Sequence, residues 1–301
     1  MTGPTASGKT AVGLELAELL GAEILSLDSM AIYRGMDVGT AKPTPEERRR
    51  VPHHLLDIVD PVEEFSLSQY VAAAQGAMRQ VRSRGREVLF VGGTPLYLKA
   101  LLRGLYPGPP ADWEFRRQIE EELKAVDLAA LHERLSLVDP LAAARLHPHD
   151  KRRIIRALEV YHLTGHPLSH QQTQFDEVRR DRGCRVWVLH WPREQLQQRI
   201  DERVERMFRG GLVEEVRGLL ATHGRLGRTA SQAVGYREVL EHLQGVRGLE
   251  ATIERVKRRT RQFARRQGTW FRSLRECRPW PQSAGCTPRE TARQMLAQAG
   301  G

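Results

Sequence analysis

The 301-residue chain has few cysteines and no long apolar segment. No apolar run approaches the ~18 residues that a membrane-spanning helix needs, so an integral membrane protein is not predicted. The first residues show no charged segment followed by an apolar one, so secretion is not predicted either. Cys184, Cys277 and Cys286 are too few for a disulfide framework, and no histidine lies near the last two to complete a zinc site. We therefore expect a cytoplasmic protein with reduced thiols.

Lysine is also scarce, with six among 47 basic residues, so arginine carries most of the positive charge. Residues 1–150 hold 17 basic and 21 acidic residues, whereas residues 151–301 hold 30 basic and 16 acidic ones. A GC-rich genome would explain the excess of arginine over lysine, but it would not explain this asymmetry. An arginine-rich half indicates a polyanionic partner, and nucleic acid is the one we expect. No feature of the sequence predicts a protein partner.

Short apolar runs at residues 24–27, 88–91 and 186–189 are typical of buried parallel strands. Helical patterns lie between them, for example at 11–20 and 67–84, and this alternation predicts an α/β fold with a parallel sheet. After a proline-rich break at 107–110, residues 113 to about 164 are helical in pattern only. We predict a core of residues 1–111 and 183–301 and a helical insertion of residues 112–182. The rest of the core is predicted to be helical, with a break at 279–288 and a short final helix.

A phosphate-binding loop stands near the first residue. The motif G-x-x-x-x-G-K-[ST] is matched by Gly3, Pro4, Thr5, Ala6, Ser7, Gly8, Lys9 and Thr10. Its backbone N–H groups, the Lys9 ammonium and the start of the following helix favour a bound di- or triphosphate. The Thr10 hydroxyl is a candidate ligand for Mg²⁺, which is the cofactor we expect.

The strand that should precede such a loop is missing, since only Met1 and Thr2 come before it. That strand normally lies inside the sheet, where its absence would leave two neighbours without hydrogen-bond partners. We therefore expect the natural chain to begin upstream, with roughly 5–10 further residues of apolar strand.

Polar side chains follow two of the predicted strands. Asp28 comes directly after residues 24–27, and Thr94 follows residues 88–91 and two glycines. Because ligands bind at the carboxyl edge of a parallel sheet, we expect the phosphate loop, Asp28 and Thr94 to converge. Asp28 could instead cap a turn, and Thr94 could simply cap the helix that starts at Pro95. The predicted strand at 88–91 is followed by Gly-Gly-Thr, where a typical P-loop ATPase has an aspartate that helps to hold Mg²⁺. The lack of this aspartate weakens the case for ATP hydrolysis.

Two basic helices carry the positive charge. Lys151, Arg152, Arg153 and Arg156 cluster in the first turns of a helix that Asp150 is predicted to cap, although the helix dipole disfavours cations there. Residues 251–275 hold nine basic residues and one acidic residue. Their predicted buried stripe is Ile253, Val256, Phe263, Trp270 and Leu274. The arginines on the remaining faces predict binding to a phosphate backbone.

Taken together, these motifs resemble the bacterial tRNA dimethylallyltransferase family along nearly the whole chain. The resemblance rests on the order and spacing of residues 3–10, 28–29, 33–37, 39–43, 54–57, 92–94 with 96–97, 156–160, 235–237, 266–267 and 269–270. It implies a P-loop NTPase-like, nucleotide-kinase-like sheet core with a helical insertion and a basic helical C-terminal part. It also implies transfer of a dimethylallyl group from dimethylallyl diphosphate to N6 of the adenosine just 3′ of the anticodon.

The resemblance further implies roles for individual residues. Asp28 matches the family's general base, and Thr94 matches the residue that positions the reacting amine. The family's contacts with the tRNA anticodon stem-loop match Asp28, Ser29, Met30, Ala31, Thr94, Arg116, Arg152, Arg153, Arg156, Gly235, Tyr236, Arg237, Arg265, Arg266 and Arg272. Many members have glutamine where this chain has Ala31, so an adenine contact from that side chain is not implied.

Two other functions stay open from the residues alone. A P-loop kinase of a small metabolite would use Asp28 to accept the proton of the substrate hydroxyl, but it has no use for the basic half of the chain. An RNA-binding NTPase would bind RNA in an NTP-dependent way and ignore an allylic diphosphate. The missing aspartate disfavours both.

Overall fold

The computed structural model describes residues 1–106, 108–171, 184–283 and 285–300. The chain divides into two compact units, one formed by Met1–Lys99 with Arg180–Gly301 and the other by Ala100–Arg179. The insertion is predicted to end at residue 182, and the second core segment to begin at residue 183. Both positions lie outside the described residues. Among the described helices, none combines the length and apolar character that a membrane span requires.

The first unit contains a parallel sheet. Its strands are β1 (Ala22–Leu27), β2 (His53–His54), β3 (Glu87–Gly92), β4 (Val186–His190) and β5 (Cys277–Pro281). They are ordered β2-β1-β3 and β4-β5, and Thr2 connects the two groups by bridging to Gly92 on one side and Val188 on the other. All six residues of β1 are buried, as expected for a parallel strand that is covered on both faces. The three predicted strands and the α/β fold are confirmed.

Strand β5 was not predicted, because the sequence favoured a proline-rich break there. In the described residues β5 pairs with β4 alone, in parallel, with Val188 opposite Pro279 and His190 opposite Pro281. Proline lacks the N–H that a central strand must donate, but an edge strand tolerates it.

The first unit also contains helices, two of which, at Lys9–Leu20 and Leu67–Ser83, pack directly against the sheet. They are α1 (Lys9–Leu20), α2 (Pro45–Arg50), α3 (Leu67–Ser83), the start of α4 (Pro95–Arg103), α10 (Arg193–Arg209), α11 (Leu212–His223), α12 (Tyr236–Leu243), α13 (Leu249–Ser273) and α14 (Pro288–Gly300). Helix α1 packs its buried Val12, Leu14 and Leu16 into one core together with Leu189. A second core joins Ile32 and its neighbours to α11 and α12.

The buried face of α13 differs from the predicted one. It consists of Thr252, Val256, Thr260, Ala264, Gln267 and Phe271, followed by Leu274. Phe263, assigned to the stripe, is instead exposed. The prediction went wrong because polar residues occupy buried positions: the Thr252 and Thr260 hydroxyls donate to carbonyls four residues earlier on the same helix.

In the described part of the second unit, the regular secondary structure is helical. Its helices are α5 (Trp113–Glu122), α6 (Leu128–Val138), α7 (Pro140–Arg145), α8 (Lys151–Thr164) and α9 (Leu168–Gln171). An aspartate caps the start of each of the first four, and the Asp150 carboxylate accepts from the backbone N–H of Arg153 as predicted. Phe115, Leu131, Leu135 and Ile154 form part of its own apolar core.

Candidate active site

The phosphate-binding loop runs from Thr2, inside the sheet, to the first turn of α1. Gly8 has φ +87°, a left-handed conformation that favours glycine and that turns the chain into the helix. Lys9 begins the helix, and its ammonium donates to the carbonyl of Pro4 at 3.3 Å across the loop. The backbone therefore has the fold that the motif predicts, with the positive end of a helix at the loop.

Three side chains from distant segments hold this loop, and the sequence did not predict any of them. The Gln267 amide accepts from the backbone N–H of Thr5 at 2.9 Å and donates to the carbonyl of Gly93 at 2.5 Å. Trp191 donates its indole N–H to the carbonyl of Ser7 at 2.9 Å. The Arg199 guanidinium donates to the carbonyl of Ala6 at 2.9 Å and lies over the Trp191 ring. The loop is thus tied to β3, to the segment after β4 and to two helices.

A cavity of about 570 Å³ opens beside the loop and is lined by Ala6, Gly8, Lys9 and Thr10. Its other charged lining residues are the cations Lys42, Arg199, Arg203 and Arg206 and the carboxylates Glu47 and Glu202. Lys42 is already paired with Asp37 and Asp57. Lys9 and the three arginines still outnumber the two carboxylates, so this cavity is suited to a small polyanion. The arginines of α10 carried no signal in the sequence, since a charged helix usually faces only solvent.

Burial and neighbouring cations lower the pKa values of two basic side chains at the cavity. Burial and then the neighbouring Arg203 lower the pKa of Lys9 from 10.5 to about 8, and Asp28 opposes that shift. Burial also lowers the pKa of Arg203, with Asp28 again acting in the opposite direction. A bound diphosphate would place negative charge beside Lys9 and raise its pKa again.

Asp28 and Thr94 lie at the carboxyl ends of β1 and β3, as predicted. Leu27 stands opposite Gly92 in the register, and the backbone N–H of Thr94 donates to the carbonyl of Leu27 at 3.0 Å. The Thr94 hydroxyl accepts from the backbone N–H of Ser29 at 3.1 Å. The charge of the Asp28 carboxylate raises the pKa of Lys9, as expected for a residue near the phosphate loop.

Backbone amides orient the Asp28 carboxylate. Its Oδ1 accepts from the N–H of Met30 at 2.8 Å and of Ala31 at 3.3 Å, so Asp28 closes a turn directly after β1. Two stacked tyrosines, Tyr70 and Tyr97, have their ring centres 3.8 Å apart, and burial raises the pKa of both, with Asp28 adding to the effect. Their phenols therefore stay neutral at neutral pH.

The cavity has a hard oxygen donor for a magnesium ion. Thr10 lines it next to Lys9, where its hydroxyl can serve as a ligand beside diphosphate oxygens and water. Within the described ranges, no three His, Cys, Asp or Glu side chains come together as a protein-only metal site. The residues present therefore fit a Mg²⁺ ion that a diphosphate brings with it.

The residues matched to tRNA contacts differ in accessibility. In the first unit Arg237, Arg265, Arg266 and Arg272 are exposed, Ser29 and Met30 are half-buried, and Ala31 and Gly235 are buried. Tyr236 is fully buried, and its hydroxyl donates to Glu215 at 2.5 Å. Because its side chain has no accessible surface, Tyr236 does not offer the direct RNA contact that the resemblance implied.

In the second unit Arg152 and Arg153 are exposed, whereas Arg116 and Arg156 are bound to a buried carboxylate. Glu159, with no exposed surface, accepts from Arg116 at 2.7 and 2.9 Å and from Arg156 at 2.5 Å. The Arg156 guanidinium also donates to the carbonyl of Pro109. These two arginines therefore have a structural ion pair that the sequence did not predict.

Comparisons with known proteins agree on one family. The family model described as IPP transferase matches residues 31–274. The tRNA dimethylallyltransferase of Rhodopirellula baltica is 51% identical over 286 residues, covering 92% of this chain and 86% of that protein.

Two solved structures cover nearly the whole chain. The full-length tRNA isopentenylpyrophosphate transferase of Bacillus halodurans is 37% identical, with a TM-score of 0.70, and the match covers 99% of this chain and 95% of that one. A eukaryotic dimethylallyltransferase acting on tRNA is 27% identical, with a TM-score of 0.81, over 98% of this chain and 76% of that one.

Proposed function

The chain belongs to the IPP transferase family, and we propose that it transfers a dimethylallyl group from dimethylallyl diphosphate to tRNA. The acceptor is N6 of the adenosine just 3′ of the anticodon, and the second product is diphosphate. The observation that carries the proposal is the position of Asp28 and Thr94 at the carboxyl ends of β1 and β3, where the Thr94 hydroxyl accepts from the backbone N–H of Ser29. Asp28 is also close enough to Lys9 and Arg203 of the cationic cavity to raise the pKa of both. In this proposal Asp28 is the base, and the cationic cavity is the site of the diphosphate.

The donor is held by charge. The backbone N–H groups of the phosphate loop, Lys9 and the arginines of α10 would bind the diphosphate and stabilise the charge that grows as the allylic C–O bond breaks. A Mg²⁺ ion held by Thr10 and the diphosphate would add further neutralisation when it is bound. Because the leaving group departs with its electron pair, these cations act most strongly in the transition state.

The acceptor needs a base and an orienting group. The adenine amine is a poor nucleophile, so Asp28 accepts its proton as the new C–N bond forms. Thr94 positions the amine from the adjacent strand end. The adenosine must leave its stack to reach this site, as in other enzymes that modify a base.

The exposed arginines supply the RNA-binding surface. In this proposal Arg152 and Arg153 of the helical insertion contact phosphates, as do Arg237, Arg265, Arg266 and Arg272 of the other unit. Arg116 and Arg156 contribute through the segment that they hold together with Glu159. A tRNA acceptor also places the reaction in the cytoplasm.

The experiment is transfer of label from dimethylallyl diphosphate to unmodified tRNA, with Mg²⁺ and without ATP, followed by nucleoside analysis. We expect label in N6-(dimethylallyl)adenosine. A parallel incubation with γ-labelled ATP tests for a kinase or an NTPase. Label released from ATP, with none transferred from the allylic diphosphate, would contradict the proposal.

A further inference from the structure

One wall of the diphosphate cavity is a loop rather than a helix. Val38, Ala41 and Lys42 line the cavity together with residues of the phosphate loop. The carbonyl of Thr40 in the same loop accepts from the Arg203 guanidinium at 3.1 Å. The backbone of residues 37–42 therefore sets both the shape of this wall and the position of one of its cations.

A carboxylate from α11 holds this loop. Glu215 accepts from the successive backbone N–H groups of Asp37 at 2.8 Å, Val38 at 2.6 Å and Gly39 at 3.2 Å. Successive N–H groups that converge in this way form an anion-binding turn. Here the anion is a side chain of the protein itself, so the turn is fixed from within the fold.

Tyr236 supports that carboxylate from the other side. Its hydroxyl donates to Glu215 Oε1, and burial together with the charge of Glu215 raises its pKa, so it remains a donor. Its ring lies so close to Gly39 that a Cβ added there would come within 2.4 Å of a ring carbon. A buried ring and a residue without a side chain therefore fit together at the centre of the loop.

We propose that Glu215, oriented by Tyr236, is a positioning residue for the diphosphate site. It fixes residues 37–42 and, through the carbonyl of Thr40, keeps the Arg203 guanidinium in the cavity. This inference rests on the proposed function for the identity of the ligand. It gives a role to the 39–43 segment and to Tyr236, whose buried side chain cannot contact RNA directly.

The test is binding of inorganic diphosphate by calorimetry, which needs no transfer activity. Glu215→Gln replaces one accepting oxygen with an amide that cannot accept from the loop, and Tyr236→Phe removes only the hydroxyl. The matched control is Glu214→Gln, because Glu214 is adjacent and exposed. We expect Glu215→Gln to weaken diphosphate binding by about tenfold, Tyr236→Phe to weaken it less, and the control to leave it unchanged.

Kinetics and a double variant separate positioning from general stability. In the transfer assay Glu215→Gln should raise KM for dimethylallyl diphosphate by the same factor, with kcat changed no more than about threefold. In an Arg203→Gln background, Glu215→Gln should add little further loss, since both changes act on the same guanidinium.

Additive losses, or a lowered thermal midpoint with unchanged diphosphate affinity, would overturn the proposal. If Glu215→Gln does not fold, Tyr236→Phe decides the question by the same criteria. A wild-type protein that binds diphosphate but transfers no label would contradict the proposed function and would still allow Glu215 to be tested. A wild-type protein that binds no diphosphate would contradict both.

Discussion

The Gln267 side chain joins the phosphate loop to the end of β3, and its removal tests how far the loop depends on α13. Gln267→Leu keeps a similar volume but leaves the N–H of Thr5 and the buried carbonyl of Gly93 without their partner. An unpartnered buried polar group costs about 1–3 kcal/mol. The carbonyl of Gly93 is buried, and the N–H of half-buried Thr5 should cost less, so we expect the free energy of unfolding to fall by about 2–4 kcal/mol in total. The loosened loop should also bind inorganic diphosphate about tenfold more weakly, equivalent to about 1.4 kcal/mol.

Thermal unfolding and diphosphate calorimetry measure the two effects. Gln262→Leu is the matched control, because Gln262 lies on the same helix and is exposed. Gln267→Glu separates the two bonds, since a carboxylate accepts from Thr5 but cannot donate to Gly93. If Gln267→Leu and Gln262→Leu gave equal losses, Gln267 would not hold the loop and the reasoning would be refuted.

Three further predictions follow from charge. Diphosphate affinity, measured by calorimetry, should fall as pH rises through about 8, because Lys9 of the unliganded protein loses its proton there. The Lys9→Arg variant keeps its positive charge, so its affinity should fall less over the same pH range. Glu159→Gln should lower the free energy of unfolding by about 3–5 kcal/mol, as measured by thermal unfolding, because it leaves two arginines facing a neutral amide. Arginine bonds hold the pKa of Glu159 below 4.5 against the effect of burial, so this stabilisation is present above that pH and is lost in acid. Finally, tRNA affinity should fall steeply as the salt concentration rises. The Arg152→Gln variant should have a slope of log K against log salt that is smaller by about 0.7–0.9. An unchanged slope would exclude a contact between Arg152 and a phosphate.

The local motifs predicted the centre of the site. The phosphate loop is a contiguous pattern, and the rule that parallel strands end at one edge brought Asp28 and Thr94 to it. The three apolar runs became β1, β3 and β4 because fully buried parallel strands are apolar on both faces.

The parts that the sequence did not predict depend on distant pairing. Gln267 contacts the loop across 262 residues of chain, and although residues 266–267 stand in a family motif, nothing local indicates which part of the chain its side chain contacts. Arg203 lies on a helix whose charge pattern is that of a solvated surface. Tyr236 stood in a motif matched to RNA contact, and only the fold shows that Glu215 and Gly39 enclose it. Strand β5 escaped prediction because its prolines are compatible with a sheet only at an edge.

The central claim is that Asp28 is the base of a prenyl transfer at this cavity. Its most direct test is the initial rate of label transfer from dimethylallyl diphosphate to tRNA by Asp28→Ala and Asp28→Asn, each first shown to bind tRNA and inorganic diphosphate. We expect both variants to keep binding and to lose at least about a hundredfold in kcat, the usual contribution of a positioned base. Near-normal turnover by either variant would contradict the account.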